Sequence, residues 1–116
     1  MIVPDVVDIT IYQNSEWDWP IAWLLADGTP VDLTGCTAEM QIRPEAVSGV
    51  VIASLTEADG TVIMNGDVAP IWLKLTDEQT NALPVGRYAY DVKVFISTSG
   101  YRILQGKCYI SPAVTR

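Results

Sequence analysis

The side chains that could do acid–base chemistry in this sequence of 116 residues are mainly carboxylates, 14 in all. It contains no histidine, which removes the commonest general base, the Ser-His-Asp arrangement and most zinc sites. Its carboxylates fall at outward strand positions (Asp8, Glu39) or at turns (Asp27, Asp59, Asp67). Two carboxylates from distant strands could in principle meet as a glycosidase pair, but the pattern favours solvated acids. The sequence therefore predicts a protein that is not an enzyme and has no catalytic residue.

Metal and cofactor sites are not predicted either. The turns "ADG" and "NGD" lack the alternating ligand series of a calcium loop, and the glycines occur singly rather than in a phosphate-binding loop. Cys36 and Cys108 are far apart in sequence and lack metal-ligand spacing. Both fall on the apolar face of a predicted strand, which favours buried free thiols. A disulfide between them is the alternative.

Aromatic side chains, in contrast, are concentrated in the stretch "EWDWPIAWLLADG". Trp17, Trp19 and Trp23 share one face of a predicted strand that also contains Pro20. Because proline cannot donate a hydrogen bond within a sheet, it belongs on an edge strand or at a bulge, and a bulge would turn part of the set outward. Trp72 is predicted on the outward face of its own strand. At least one indole is therefore expected to be accessible.

Three interpretations of these tryptophans stay open: core alone, core together with a protein interface, and a carbohydrate-binding platform. Each indole buries about 150–250 Å² of surface, and three of them are much for one small core to enclose. Ala22 and Leu24 are apolar on the opposite face of the same strand. We therefore expect this strand to lie near a sheet edge and to complete its burial against another subunit or a neighbouring protein.

Charge argues against two classes of partner. The formal net charge is −7, and the seven basic residues form no cluster of the kind that binds nucleic acid. An anionic membrane surface would repel such a chain. The longest apolar stretch, "PIAWLLA", is too short to span a membrane, and the start of the chain lacks the pattern of a signal peptide. Folding in the cytoplasm is expected.

Hydrophobic alternation with a period of two predicts an all-β fold. One short helix is expected after Thr76, which can cap it while Gln79 completes a capping box. About eight short strands separated by turns are typical of a single β-sandwich domain over residues 1–116. The predicted strands are 6–13, 16–26, 36–43, 50–56, 60–64, 69–76, 87–97 and 102–111.

The stretch "LTDEQTNALPVGRYAYDVKV" resembles the E–F corner of immunoglobulin-like sandwiches. There, a tyrosine near the start of strand F sends its hydroxyl back to the backbone of the corner. The resemblance gives this part to Tyr88, with Gly86 before it. Tyr90 stands where an antibody domain has its second cysteine, which argues against an extracellular immunoglobulin domain with the usual inter-sheet disulfide.

Three segments together, "DLTGCTAEMQIRP", "ADGTVIMNGDVAPIWLKLTDEQTNALPVGRYAYDVKV" and "ILQGKCYISPAVTR", resemble a known family. They are similar to the small immunoglobulin-like domains of tailed-bacteriophage tail and baseplate proteins, including the N-terminal domain of baseplate upper proteins. The resemblance implies a structural virion component that forms homo-oligomers and contacts other tail or baseplate proteins. The residues themselves offer Trp17, Trp19, Trp23 and Trp72 as the candidate interface. The alternative is a carbohydrate-binding module used in adsorption to the host surface.

Overall fold

The computed structural model describes residues 5–24, 27–29, 31–45, 49–65 and 70–112. Residues 25 and 26 of the predicted strand 16–26, and Asp67 of a predicted turn, lie outside these residues. The described elements are β1 (Asp5–Val6), β2 (Ile9–Tyr12), β3 (Trp17–Ile21), β4 (Thr37–Arg43), β5 (Ala53–Thr56), β6 (Val62–Met64), β7 (Ile71–Leu75), α1 (Asp77–Asn81), β8 (Gly86–Ile96) and β9 (Ser99–Ser111).

The strands form two sheets. The large sheet has the order β1-β9-β8-β4-β5, and β2 also pairs with β9. The small sheet has the order β3-β7-β6. β1 and β2 run parallel to β9, whereas the other described pairs are antiparallel.

Alternating side chains of both sheets fill the space between them. In β4, Ala38, Met40 and Ile42 are buried, as their alternation predicts. In β7, the alternation likewise directs Ile71 and Leu73 inward. The sheets pack as a β-sandwich because each has one apolar face to bury.

The helix α1 begins as the sequence predicts. The Thr76 hydroxyl accepts a hydrogen bond from the Gln79 amide at 3.2 Å, and the Gln79 side chain accepts one from the Thr76 amide at 2.8 Å. This is the expected capping box. The buried Thr80 hydroxyl then donates to the Ser15 carbonyl at 2.8 Å, which ties the helix to the segment that precedes β3.

The order of the strands is that of an immunoglobulin-like sandwich. In such sandwiches strands B, E and D lie in one sheet and strands C, F and G in the other. By position in the chain, β3, β7 and β6 correspond to B, E and D, and β4, β8 and β9 correspond to C, F and G. The short helix lies between the strands equivalent to E and F, so the predicted fold class is confirmed.

The predicted strand 6–13 is divided into two in the structure. β1 and β2 keep one register against β9, but the ladder is interrupted at Val7 and Asp8. Here the Asp8 carboxylate, rather than a backbone carbonyl, accepts the Lys107 amide proton at 3.1 Å. The described residues therefore contain nine strands, and the prediction of about eight missed this interruption.

Candidate functional site

The tryptophan-rich strand β3 lies at an edge of the small sheet. Trp17, Trp19 and Trp23 are half-buried and pack against the core cluster between the sheets. The rings of Trp17 and Trp19 meet edge to face, with their centroids 6.4 Å apart. We call these three residues the aromatic edge. They are partly core, as one interpretation predicted, and they also retain accessible surface.

Pro20 is tolerated because β3 is an edge strand. The register between β3 and β7 runs from Trp17 opposite Leu75 to Ile21 opposite Ile71 without a shift. The bulge that the sequence left open at Pro20 is therefore absent from this pair. As a result, Trp17 and Trp19 stay on the same face as Ile21. The predicted strand 16–26 ends earlier than expected, at Ile21, so Trp23 lies beyond β3.

Trp72 lies on the outer face of the small sheet, opposite the buried face of β7, as predicted. Pro20 and Ile63 flank it on the two neighbouring strands, so an apolar row crosses this face. The Lys74 ammonium lies 4.2 Å from the centroid of the Trp72 ring, within the range of a cation–π contact. Trp72 is half-buried, and its Nε1 has no hydrogen-bond partner among the described residues.

A shallow groove of about 640 Å³ begins beside this lysine and tryptophan. Trp17 of the aromatic edge and Trp72 both line it, and Glu16, Asp18 and Asp59 give it three carboxylates. All three acids are exposed, and none forms an ion pair within the part of the chain that the structure describes. We call this groove the acidic groove. The sequence analysis placed Asp59 at a solvated turn and did not predict that these three acids would line one groove.

The outer face of the large sheet holds a second cavity, of about 390 Å³, which the sequence did not predict. We call it the arginine cavity; its charged lining residues are Asp8, Arg43, Asp91, Arg102 and Lys107. Asp91 Oδ2 lies 3.3 Å from Arg102 Nε and 3.9 Å from an Arg43 terminal nitrogen. Arg43 and Asp91 occupy outward positions in two strands, which was the available signal, but their proximity depends on the pairing of β4 with β8.

The predicted corner is present in weakened form. The Tyr88 hydroxyl donates to the Val85 carbonyl, three residues upstream, at 3.4 Å in an exposed setting. Gly86 has φ of 153°, and a Cβ at this position would come within 3.1 Å of the Tyr88 hydroxyl. Gly86 therefore lets the tyrosine ring lie against the backbone, although the hydrogen bond is longer than usual for hydroxyl donors.

Tyr90 makes the stronger connection, and the sequence did not predict it. Its buried ring meets Trp19 of the small sheet edge to face, with centroids 5.9 Å apart. This contact joins the strands equivalent to B and F, which a disulfide joins in antibody domains. The Tyr90 hydroxyl also donates to the Val7 carbonyl. Burial, with the negative charge of Asp8 nearby, raises the pKa of the Tyr90 phenol.

Both cysteines are free thiols, as the sequence favours. Cys36 is half-buried beside the core, and Cys108 is fully buried in β9. Burial raises the pKa of the Cys108 thiol to about 12. The thiol of Cys108 is therefore protonated and unreactive at neutral pH.

Two aspartates accept hydrogen bonds from backbone amides of their own turns. Asp27 accepts the Thr29 amide proton at 2.9 Å, and Asp32 accepts that of Thr34 at 3.0 Å. These hydrogen bonds lower the pKa of each aspartate.

Among the described residues, no group of three or more metal-ligating side chains is found. No helix in that part of the chain has the length and apolar character that a membrane crossing requires.

The fold and its surfaces define an immunoglobulin-like β-sandwich with an aromatic edge and two charged outer faces. Of the solved structures, one of Tim-1 matches over 98% of this chain and 99% of its own, at 8% sequence identity and a TM-score of 0.40. No family model and no curated protein matches the sequence.

Proposed function

We propose that this protein is a non-enzymatic assembly component of a bacteriophage virion, in the tail, baseplate or fibre attachment. It acts through protein–protein contacts with copies of itself and with neighbouring tail proteins. The virion assignment follows from the sequence resemblance described above. The use of protein contacts is supported by the geometry of the aromatic edge.

One observation supports this proposal most directly: β3 carries two half-buried indoles and lies at a sheet edge. An unprotected apolar edge invites aggregation unless a partner covers it. Trp17, Trp19 and Trp23 are only half-buried within the chain, and Leu24 is exposed. Tryptophan is enriched at the energetic centres of protein interfaces. A partner that covers this edge would bury the parts of these indoles that remain exposed in the single chain.

The acidic groove favours a second candidate, a carbohydrate-binding module. Two indoles, three carboxylates and the polar side chains of Thr76 and Gln79 line it. Indole faces pack against sugar rings, and carboxylates and amides accept hydrogen bonds from sugar hydroxyls. A module of this kind would bind glycans as a monomer.

Virion composition tests the assembly proposal. Particles purified from the source phage by density gradient should contain this chain at a fixed copy number in quantitative mass spectrometry. Absence of the chain from intact particles would overturn the virion assignment. Binding of neutral oligosaccharides by monomeric protein, lost in Trp72→Ala, would favour the second candidate instead.

A further inference from the structure

Two surfaces of the molecule, the acidic groove and the arginine cavity, differ in the sign of their charge, although the chain as a whole is strongly acidic. The acidic groove, on the small sheet, holds three carboxylates and one lysine. The arginine cavity, on the large sheet, holds three basic side chains and two carboxylates. The two pockets share no lining residue, so one molecule presents an acidic groove and, separately, a weakly basic cavity.

Within the arginine cavity, the basic groups are incompletely paired. Arg43 and Arg102 share a single carboxylate oxygen, that of Asp91. Arg43 also donates to Gln41, but its Nε has no hydrogen-bond partner among the described residues. A guanidinium has five N–H groups, so one carboxylate oxygen cannot satisfy two of them.

Lys107 adds a third positive charge to the cavity, against the two carboxylates of Asp8 and Asp91. The nearby Asp8 carboxylate is engaged by the Lys107 backbone amide, and no ion pair of the Lys107 ammonium occurs among the described residues. The cavity therefore has an excess of hydrogen-bond donors and of positive charge, and it is suited to carboxylates.

The acidic groove supplies carboxylates of this kind. Glu16, Asp18 and Asp59 are exposed, and none of them forms an ion pair within the described chain. The indoles of Trp17 and Trp72 beside them provide apolar contact area and faces on which a guanidinium can stack. The groove thus complements the cavity in charge and in the type of contact.

We infer that the acidic groove of one copy docks onto the arginine cavity of the next, so that copies associate head to tail. The inference rests on the proposed function, because it names the contact through which the chain assembles. Two different surfaces of the molecule meet, so the interface is heterologous. Heterologous interfaces close into rings or continue as filaments, according to the rotation between copies.

Charge-reversed variants test this arrangement. The groove variant is Glu16→Lys with Asp59→Lys, at two exposed positions outside the strands. The cavity variant is Lys107→Glu, which leaves the pairs of Asp91 intact. The matched controls are Glu57→Lys, in the same turn as Asp59, and Arg87→Glu, on the same sheet as Lys107; neither lines a docking surface.

Sedimentation velocity at low salt should show wild-type oligomers that dissociate as the salt concentration rises. The reason is that the Debye length, over which charges attract each other, falls to about 3 Å at 1 M salt. Each docking variant alone should self-associate at least about tenfold more weakly. An equimolar mixture of the two should associate again, since one copy retains the cavity and the other the groove. The controls should behave like wild type. Near-UV circular dichroism confirms that each variant is folded.

The contrary outcomes separate the two proposals. Wild-type oligomers that persist in both docking variants would overturn the head-to-tail contact and leave the assembly function standing. Weakened variants whose mixture does not associate would also overturn it, because the mixture still holds an intact cavity on one copy and an intact groove on the other. A wild-type chain that stays monomeric and binds neutral glycans through the groove would contradict both proposals.

Discussion

At the scale of single residues, the tyrosine of β8 that connects the two sheets is Tyr90, whereas the sequence pointed to Tyr88 at the corner. Tyr88 occupies the corner position, but its hydrogen bond to Val85 is 3.4 Å long and exposed. Tyr90 is buried and connects Trp19 of the small sheet with the Val7 carbonyl. A buried hydroxyl whose partner loses its hydrogen bond is costly to remove, whereas an exposed one is replaced by water.

Tyr90→Phe should therefore lower the free energy of unfolding by about 1–3 kcal/mol, because the Val7 carbonyl is left without its donor. Tyr88→Phe is the matched control, and it should cost less than about 1 kcal/mol. Urea denaturation midpoints measure both changes. A larger loss for Tyr88→Phe than for Tyr90→Phe would restore the corner as the main connection.

The buried thiol predicts a pH dependence of stability. Burial raises the pKa of Cys108 from its ordinary value of 9.0 to about 12, so folding disfavours the thiolate. Its contribution to stability is complete below about pH 9 and is lost as the pH rises towards 12. The difference in unfolding free energy between wild type and Cys108→Ala should therefore shrink between pH 9 and pH 11. A constant difference over this range would contradict the assigned pKa.

Thiol labelling checks the same residue independently. With a thiol reagent at pH 8, half-buried Cys36 should react in the folded protein, and Cys108 only after unfolding. Mass spectrometry of the unfolded, unreduced protein should then show two labels. No label, with a mass two protons lower, would indicate a disulfide.

At the scale of elements, the sequence predicts what local pattern determines. The alternation in β4 and β7 and the capping box of α1 are each contained within a few residues, and the structure confirms them. The interruption between β1 and β2 was not predictable in this way. It depends on Gly106 and Tyr90, which are far from Val7 along the chain. The arginine cavity was missed for the same reason, because it forms only when β4, β8 and β9 pair.

Gly106 is the position at which this interruption can be tested. Its φ is 159°, and a Cβ there would overlap the Val7 carbonyl oxygen, which is backbone and cannot rotate away. Gly106→Ala should therefore displace Val7 from β9 and lower the free energy of unfolding by about 1–3 kcal/mol. Loss of amide hydrogen-exchange protection should concentrate in β1 and β2.

Gly49→Ala provides the control, because a Cβ at that position meets nothing within 4 Å and its φ is not in the left-handed region. We expect a change within about 0.5 kcal/mol in either direction. If both variants were equally stable, the close approach of Val7 to Gly106 would be refuted.

At the scale of the whole molecule, the two sheets differ in the surface that they expose: the large sheet carries the arginine cavity and the small sheet the aromatic edge. In the large sheet, β4, β8 and β9 contribute buried side chains on the inner face, and the outer face holds the arginine cavity. The small sheet has only three strands and ends at the aromatic edge. Half-buried indoles at the end of a narrow sheet are accessible to solvent in the separate chain and can be covered in an assembly.

Association should therefore protect tryptophan from a soluble quencher. Acrylamide quenching of tryptophan fluorescence, measured at concentrations where sedimentation shows monomer and oligomer, should be stronger for the monomer. Trp17 and Trp72 line the acidic groove, whereas Trp19 is wedged against Tyr90. Trp72→Phe or Trp17→Phe should remove much of the association-dependent difference. Trp19→Phe should remove less of it, because Tyr90 already covers part of that ring.

Near-UV circular dichroism must show the same folded spectrum in both states, because unfolding of the separate chain would also expose indoles. The expected difference requires that the indoles be accessible within an intact sandwich, as their half-buried positions indicate. A chain that stays monomeric at high concentration, with every indole shielded from acrylamide, would contradict the prediction. Trp17, Trp19 and Trp23 would then belong to the core alone, and β3 would need no partner.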